Sequence, residues 1–554
     1  MWQTPVNCNG SKVLSVLALN TKGFLKTGFH TSILTKIQNI FDNVKTTSAN
    51  FLKFVNRSEF KTAFMISLCI CLVALVLGYL VYGRVVEKVF GPDRSRPTPA
   101  VANADGVDFV QMPSWKVFMI QFLNIAGTGP IFGAIMGAKF GPSAYLWIVL
   151  GCIFAGAVHD YLSGMLSVRL GGAGLPEIIG QYLGKATKSF TLLFTILMLV
   201  LVAAVFVYSP AIILGDIAGD GTLKSIMIWV VVIFAYYFIA TMLPINKIIG
   251  KIYPVFAFAI IFMAIALLVG LFVKWPSIPE LWDGLADRGP SVGVNGQPIF
   301  PCLFITIACG AISGFHATQS PLMARCMKNE KQGRPIFYGA MITEGMVALV
   351  WAAISSYFFF DGGAAECGSD LSAAAPEVVT SVSKSWLGIL GGVLAILGVV
   401  AAPITSGDTA LRSTRLIVAE FFKLDQKPIR NRLLISIPLF IVTALILWYN
   451  IADSDGFNTI WRYFGWSNQT LAVFTLWAIT VYLLKNKRGM RYLISGIPAA
   501  FMTAVSLTFI LVDKVGFGVN TAAAPGIGIA VFAACACALS ALKMRQANNN
   551  LDNK

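Results

Sequence analysis

Thirteen stretches of about twenty residues, each apolar enough to cross a hydrocarbon core, divide this chain, and no other feature restricts its fold so tightly. They fall at 63–82, 117–137, 143–168, 190–214, 225–243, 253–273, 300–324, 336–360, 386–407, 433–452, 464–484, 492–512 and 525–542. Lipid offers no hydrogen bonds, so every backbone group in such a stretch must be satisfied within the segment, which selects helices. The expectation is an all-α polytopic membrane protein. Composition agrees: 12% of the 554 residues are charged, about half the share that covers a soluble surface. A cytosolic enzyme, a nucleic-acid-binding protein and a disordered scaffold are thereby excluded.

The net charge of +16 follows the same plan. Loops after odd-numbered stretches, with the C-terminal tail, hold 27 of the 42 Lys and Arg residues, and loops after even-numbered ones hold 7. Basic loops stay in the cytoplasm, which places the first group there. The remaining 8 lie in residues 1–62, a basic tail that thirteen crossings would leave outside. Within it, Ile33, Leu34, Ile37, Ile40, Phe41 and Val44 recur at helical spacing, and a surface helix over 31–55 is expected. The cysteines sit in apolar runs without zinc-ligand spacing, so neither a disulfide nor a metal site follows from them.

Two crossings carry their own interruptions. The second reads Gln121-Phe-Leu-Asn-Ile-Ala-Gly127-Thr128-Gly129-Pro130, and the seventh reads Ala308-Cys-Gly310-Ala-Ile-Ser313-Gly314-Phe315-His316-Ala-Thr-Gln319-Ser320-Pro321. Glycine and proline at mid-membrane weaken a helix and free its peptide groups. Breaks are expected at Gly127 to Pro130 and at Ser313 to Gln319. The two are five crossings apart, and five is odd, so a repeated five-helix unit would enter from the opposite side. Residues 117–273 and 300–484 then form inverted repeats of a LeuT-type core, with 63–90 peripheral, 492–542 a terminal helix pair and 543–554 a polar tail. Half-helix N-termini would face a solute at Gly127, Thr128, Gly129, Ser313, Gly314, Phe315, His316 and Gln319. The bland alternative is that these glycines only let helices approach closely.

Ionisable groups inside a membrane are costly and mark cavities or pathways. Asp160, Glu344, His159 and His316 stand in otherwise apolar crossings. His159 and Asp160, about 100° apart on a helix, are not required to pair. At the end of the ninth crossing, Thr405, Ser406 and Asp408 offer hard oxygen donors beside Pro403 and Gly407, suited to a small cation, Na+ or H+. Arg412 and Arg415 read more simply as a helix terminus facing headgroups. No dinucleotide fingerprint, Walker A loop or metalloprotease motif is present. No cofactor or catalytic residue is expected, and the chain is read as no enzyme.

Several of these segments carry a family resemblance. Phe300-Pro-Cys-Leu-Phe-Ile-Thr-Ile-Ala-Cys-Gly-Ala-Ile-Ser-Gly-Phe-His316 is the most distinctive, joined by Thr98-Pro-Ala-Val, Ile125-Ala-Gly-Thr-Gly-Pro130, Ala155-Gly-Ala-Val-His-Asp160, Tyr338-Gly-Ala-Met-Ile-Thr-Glu344 and Phe464-Gly-Trp-Ser-Asn-Gln469. From about residue 63 to the last crossing the chain resembles the carbon-starvation protein A (CstA) family of bacterial inner-membrane transporters. The resemblance implies secondary active uptake of short peptides or pyruvate during nutrient limitation, energised by an ion gradient, with protons as the coupling ion. It also implies a LeuT-type core. The chain departs from long members in its shorter length, its basic tail, and Pro321 with Met323 after His316. A membrane-embedded metabolite sensor is the competing function class. It would use the same pocket but needs a cytoplasmic output surface.

Overall fold

A computed structural model describes residues 65–105, 109–218, 221–242, 245–426, 428–452, 456–486 and 489–552. The surface helix expected over 31–55, with the rest of the 1–62 tail, lies outside them. Among the described residues every long element is a helix. In chain order they are α1 (Ile66–Phe90), α2 (Ser114–Ala126), α3 (Gly129–Ala138), α4 (Ser143–Arg169), α5 (Leu175–Leu183), α6 (Lys185–Ala218), α7 (Leu223–Met242) and α8 (Ile245–Lys274). There follow α9 (Gly314–Ala324), α10 (Glu330–Phe360), α11 (Ala375–Leu394), α12 (Ala401–Phe422), α13 (Ile429–Ala452), α14 (Gly456–Asn486), α15 (Leu493–Val512) and α16 (Ala524–Asp552).

The arrangement is that of a protein solvated by lipid. Leu193, Trp448 and Ile529 are 69%, 69% and 72% exposed, while Asp160, His316, Glu344 and Asp408 are wholly enclosed. Among the described residues, ten helices are long and apolar enough to cross a membrane, and α2 with α3, bent by 45°, makes an eleventh if the pair is one span. The other two expected crossings take a different form. Residues 300–324 are interrupted between Thr306 and Gly314. The 386–407 stretch begins beside a non-helical Gly388 and runs into α12, which carries Asp408, Arg412, Arg415 and Glu420.

Depth in the bundle is uneven. The most apolar windows of α4 and α10 are 83% and 89% buried, and that of α16 is 17% buried. Glycines let the buried helices approach. A Cβ on Gly156 of α4 would stand 2.2 Å from the Ala311 carbonyl oxygen, and one on Gly151 would stand 2.9 Å from the Ala311 Cβ. The interrupted segment between Thr306 and Gly314 therefore rests directly on α4. Pro210 inside α6 lacks the N–H that would bond the Phe206 carbonyl, and the Tyr237 hydroxyl of α7 donates to that oxygen instead, at 2.8 Å.

Loops assigned to one membrane side by charge also meet in space. Enclosed Glu330 accepts from the Asp93 backbone at 2.8 Å and lies 3.4 Å from Arg169, which donates to the Gly91 carbonyl and the Tyr482 hydroxyl. On the other side, Ser143 donates to the Leu285 carbonyl, Lys139 to that of Leu371, and Arg462 pairs with Asp513. In the loop after α8, burial pushes the Glu280 carboxyl above its usual range, opposed by bonds from the start of α1, including Ser67 N–H at 2.8 Å.

Candidate functional site

The two interruptions touch. The first turns at Gly127, whose φ of 43° and ψ of −139° suit a residue without a Cβ. A Cβ there would stand 2.9 Å from the Phe206 ring, and one on Gly129 would stand 2.4 Å from both Cβ and Sγ of Cys309 in the second interruption. A Cβ on Gly133 would lie 2.9 Å from the Thr306 carbonyl oxygen. Pro130 is not part of the break: it occupies the first turn of α3, where its missing N–H costs nothing.

The second break lies before the residues expected to form it. Ile307 through Ser313 is non-helical or tight turn, and Gly314 to Gln319 form the opening turns of α9. Gly314, Phe315, His316 and Gln319 thus sit on a helix, not in unwound chain. The cause is long-range. Trp147 on α4 takes the Ile307 carbonyl at 2.9 Å, and Gln469 on α14 takes that of Phe304 at 3.0 Å, so the freed groups find partners outside the segment. Asn468 then starts the new helix by accepting from Phe315 N–H at 2.7 Å and from the Ser313 hydroxyl at 3.0 Å.

Next to this junction is a chain of ionisable side chains. His159 Nδ1 is 2.8 Å from Asp160 Oδ1, His316 Nδ1 is 2.8 Å from Asp160 Oδ2, and His316 Nε2 is 3.4 Å from Glu344 Oε2. His159 and Asp160 do pair, although adjacent in sequence, because α4 is enclosed on all sides at this level and both side chains turn inward. Cys309 Sγ, His316 and Glu344 offer atoms within 4.8 Å of one another.

A second grouping surrounds Asp408. The Tyr253 hydroxyl of α8 lies 3.3 Å from Asp408 Oδ2 and donates to the Thr405 carbonyl at 3.0 Å. Arg412, one turn on, is 3.7 Å from Asp408 Oδ1 and donates to the Ala240 carbonyl at 2.6 Å. Arg412 and Arg415 are therefore enclosed, which corrects the headgroup reading; α7 supplies the carbonyl that seats the first guanidinium. The Ser406 hydroxyl donates to the Leu123 carbonyl at 3.1 Å, one turn before the first break, while Thr405 turns back to its own helix at Ala402.

The structure thus divides the set Thr405, Ser406, Asp408, Asp160 and Glu344. Helix α2 packs against α9 and α10, which carry His316 and Glu344, and also against α8 and α12, which carry Tyr253 and Asp408. Two polar side chains of this central element, Gln121 and Asn124, were not singled out from sequence; Thr128, just beyond its end, was. Gln121, Asn124 and Thr128 are fully buried, and their side-chain polar atoms make no hydrogen bond among the described residues. Gln121 and Asn124, three residues apart, share one face of α2, a signal readable in advance, while Thr128 lies past the break at Gly127. Gln319 Oε1 is likewise without a partner.

A family profile described as carbon starvation protein CstA matches residues 62–228, 211–389 and 362–509. An uncharacterized membrane protein of Haemophilus influenzae is 46% identical over 333 residues, covering 52% of this chain and 90% of that protein. The peptide transporter CstA of Bacillus subtilis is 28% identical over 540 residues, covering 80% of this chain and 88% of its own. The pyruvate/proton symporter BtsT of Escherichia coli is 29% identical over 343 residues, covering 50% of this chain and 47% of its own.

Proposed function

The chain belongs to the carbon starvation protein CstA family and is a multi-pass protein of the bacterial inner membrane, and from that premise we propose that it imports a small carboxylate or short peptide by ion symport. Membrane transport is what its named relatives do, and a small carboxylate or peptide carried with an ion is the reading that their names support for this chain. The observation that carries it is the meeting of two interrupted crossings at Gly129 and Cys309.

A polar group enclosed without a partner costs free energy, and a bound solute recovers it. Gln121, Asn124 and Thr128 stand ready for that role beside the junction. Gly127, Gly129, Ser313, Gly314, Phe315 and Gln319 complete the proposed site, with N–H groups at the starts of α3 and α9 favouring a solute carboxylate. A cavity of about 270 Å³ leads inward from the side of Lys139 and Arg462 to Ile305, Thr306 and Trp461. The last three also line the gap at Gly129 and Cys309. In the same reading all thirteen stretches cross the membrane, and 117–273 and 300–484 are inverted repeats of a LeuT-type core.

Coupling is assigned to Asp408, with Ser406 linking it to the first break through the Leu123 carbonyl. A proton arriving at Asp408 weakens its attraction to Arg412 within α12 and its contact with the Tyr253 hydroxyl of α8, and the second loss loosens α12 against α8. A proton is preferred over Na+ because Asp408 already faces a guanidinium, which disfavours a second cation.

Purified chain in proteoliposomes should accumulate labelled pyruvate or a dipeptide when the outside is acidified. One pH unit is about 1.4 kcal/mol per proton, which supports about tenfold accumulation for one-to-one symport. Equilibration without accumulation under proton and sodium gradients alike would overturn the coupling. Absence of any saturable uptake would overturn transport of these solutes.

A further inference from the structure

We propose that Cys309, His316 and Glu344 bind a divalent transition metal of the zinc class, held between the second break and α10. The argument starts from a hydrogen-bond mismatch. Asp160 accepts from His316 Nδ1, which places the ring proton on that nitrogen and leaves a lone pair on Nε2. That lone pair points at Glu344 Oε2 from 3.4 Å, and neither Glu344 oxygen makes a hydrogen bond among the described residues. Two electron-rich groups face each other in an enclosed space, and a cation between them satisfies both.

Cys309 makes that cation a metal. A shared proton needs two groups, whereas here a third ligand type converges, its sulfur within 4.8 Å of the other two. Zinc bonds are about 2.3 Å to sulfur and about 2.0–2.2 Å to nitrogen or oxygen, so tetrahedral ligands lie about 3.3–3.7 Å apart. The His316–Glu344 edge has that length, and the Cys309 sulfur, within 4.8 Å of both, needs to approach by no more than about 1–1.5 Å. A thiolate and a carboxylate balance a dication, so the low dielectric does not oppose loading. Three protein ligands leave a fourth position open.

The outer groups fit as well. Ligating histidines usually give their other N–H to a carboxylate, which fixes the tautomer. Asp160 serves here, itself held by His159 at 2.8 Å. The Asn468 side-chain amide donates toward Cys309 Sγ from 3.7 Å, a contact that a metal-bound sulfur keeps as acceptor, and the sulfur also lies 3.6 Å from the Ser313 hydroxyl. Cys309 lines a closed gap whose walls Ile305, Thr306 and Trp461 also border the 270 Å³ cavity, so an entering ion must part those three side chains.

The test uses the full-length purified chain, stripped with a chelator and titrated with Co2+ or Zn2+ alone. The expected result is about one cobalt per chain with a near-ultraviolet thiolate-to-cobalt band, displaced by zinc and absent in Cys309→Ser. Asp160→Asn should weaken zinc binding about 10- to 100-fold. Saturating zinc should protect Cys309 of the unmodified chain from iodoacetamide, read by mass spectrometry, which decides the matter even where a variant fails to fold. No saturable cobalt binding, a band that persists in Cys309→Ser, or an unprotected Cys309 would each overturn the site and leave a proton shared by His316 and Glu344. Metal content is read without uptake, so failure here is distinct from failure of the transport reading.

Discussion

Two enclosed ionisable groupings lie against the same broken helix, and they are stabilised by opposite means. Around Asp408 the chain supplies its own cation, Arg412, and spends backbone carbonyls of Ala240 and Thr405 on the surrounding donors. Around Asp160 the contacts run from side chain to side chain across α4, α9 and α10, with histidines in place of lysine or arginine. The first grouping is balanced as built, and a proton disturbs it. The second ends in facing acceptors, and a cation completes it. Proximity to one broken helix therefore does not imply one role.

The sharpest way to break this comparison is to neutralise one carboxylate in each grouping. Asp408→Asn leaves the Arg412 guanidinium enclosed without its partner, and removing one member of a buried pair costs about 3–5 kcal/mol. Thermal unfolding should report that loss, and accumulation under a pH gradient should fall to the equilibrium level. Adding Arg412→Met should recover stability without recovering accumulation. Asp160→Asn should instead keep a response to the gradient. Gradient-driven uptake retained in Asp408→Asn and abolished in Asp160→Asn would reverse the assignment.

A smaller effect separates the two breaks. Asn468→Ala removes the side chain that starts α9, and loss of an N-terminal cap costs about 1–2 kcal/mol. Unfolding should shift accordingly, with a parallel loss of cobalt affinity, because the same amide supports Cys309. A cobalt affinity unchanged by Asn468→Ala would show that the cap and the metal grouping are independent. The smallest effect is at the other break. Ser406→Ala deletes one hydrogen bond to the Leu123 carbonyl, worth about 1 kcal/mol. It should raise the proton concentration for half-maximal uptake and leave cobalt binding untouched, and a change in cobalt binding would join the two groupings again.

How far this was readable from sequence depended on the range of the forces involved. Gly127 announces the first break because its backbone needs a residue without a Cβ, a local requirement. The second break starts at Ile307, three residues before Gly310 and seven before Gly314, because Trp147 and Gln469 draw the freed carbonyls from other helices. Asp160, His316 and Glu344 were visible as charges in apolar crossings, yet their convergence with Cys309 joins four segments and leaves no spacing in the chain. Arg412 misled for the same reason: its carbonyl partner is 172 residues away.

The most direct test of the central claim, that solute passes where the two breaks meet, is uptake by Gly129→Ala. The added methyl would stand 2.4 Å from the Cys309 side chain and must push the breaks apart. Gradient-driven uptake of pyruvate or dipeptide should fall at least about tenfold, a loss of about 1.4 kcal/mol in transition-state stabilisation. Uptake equal to that of the unmodified chain would contradict the account.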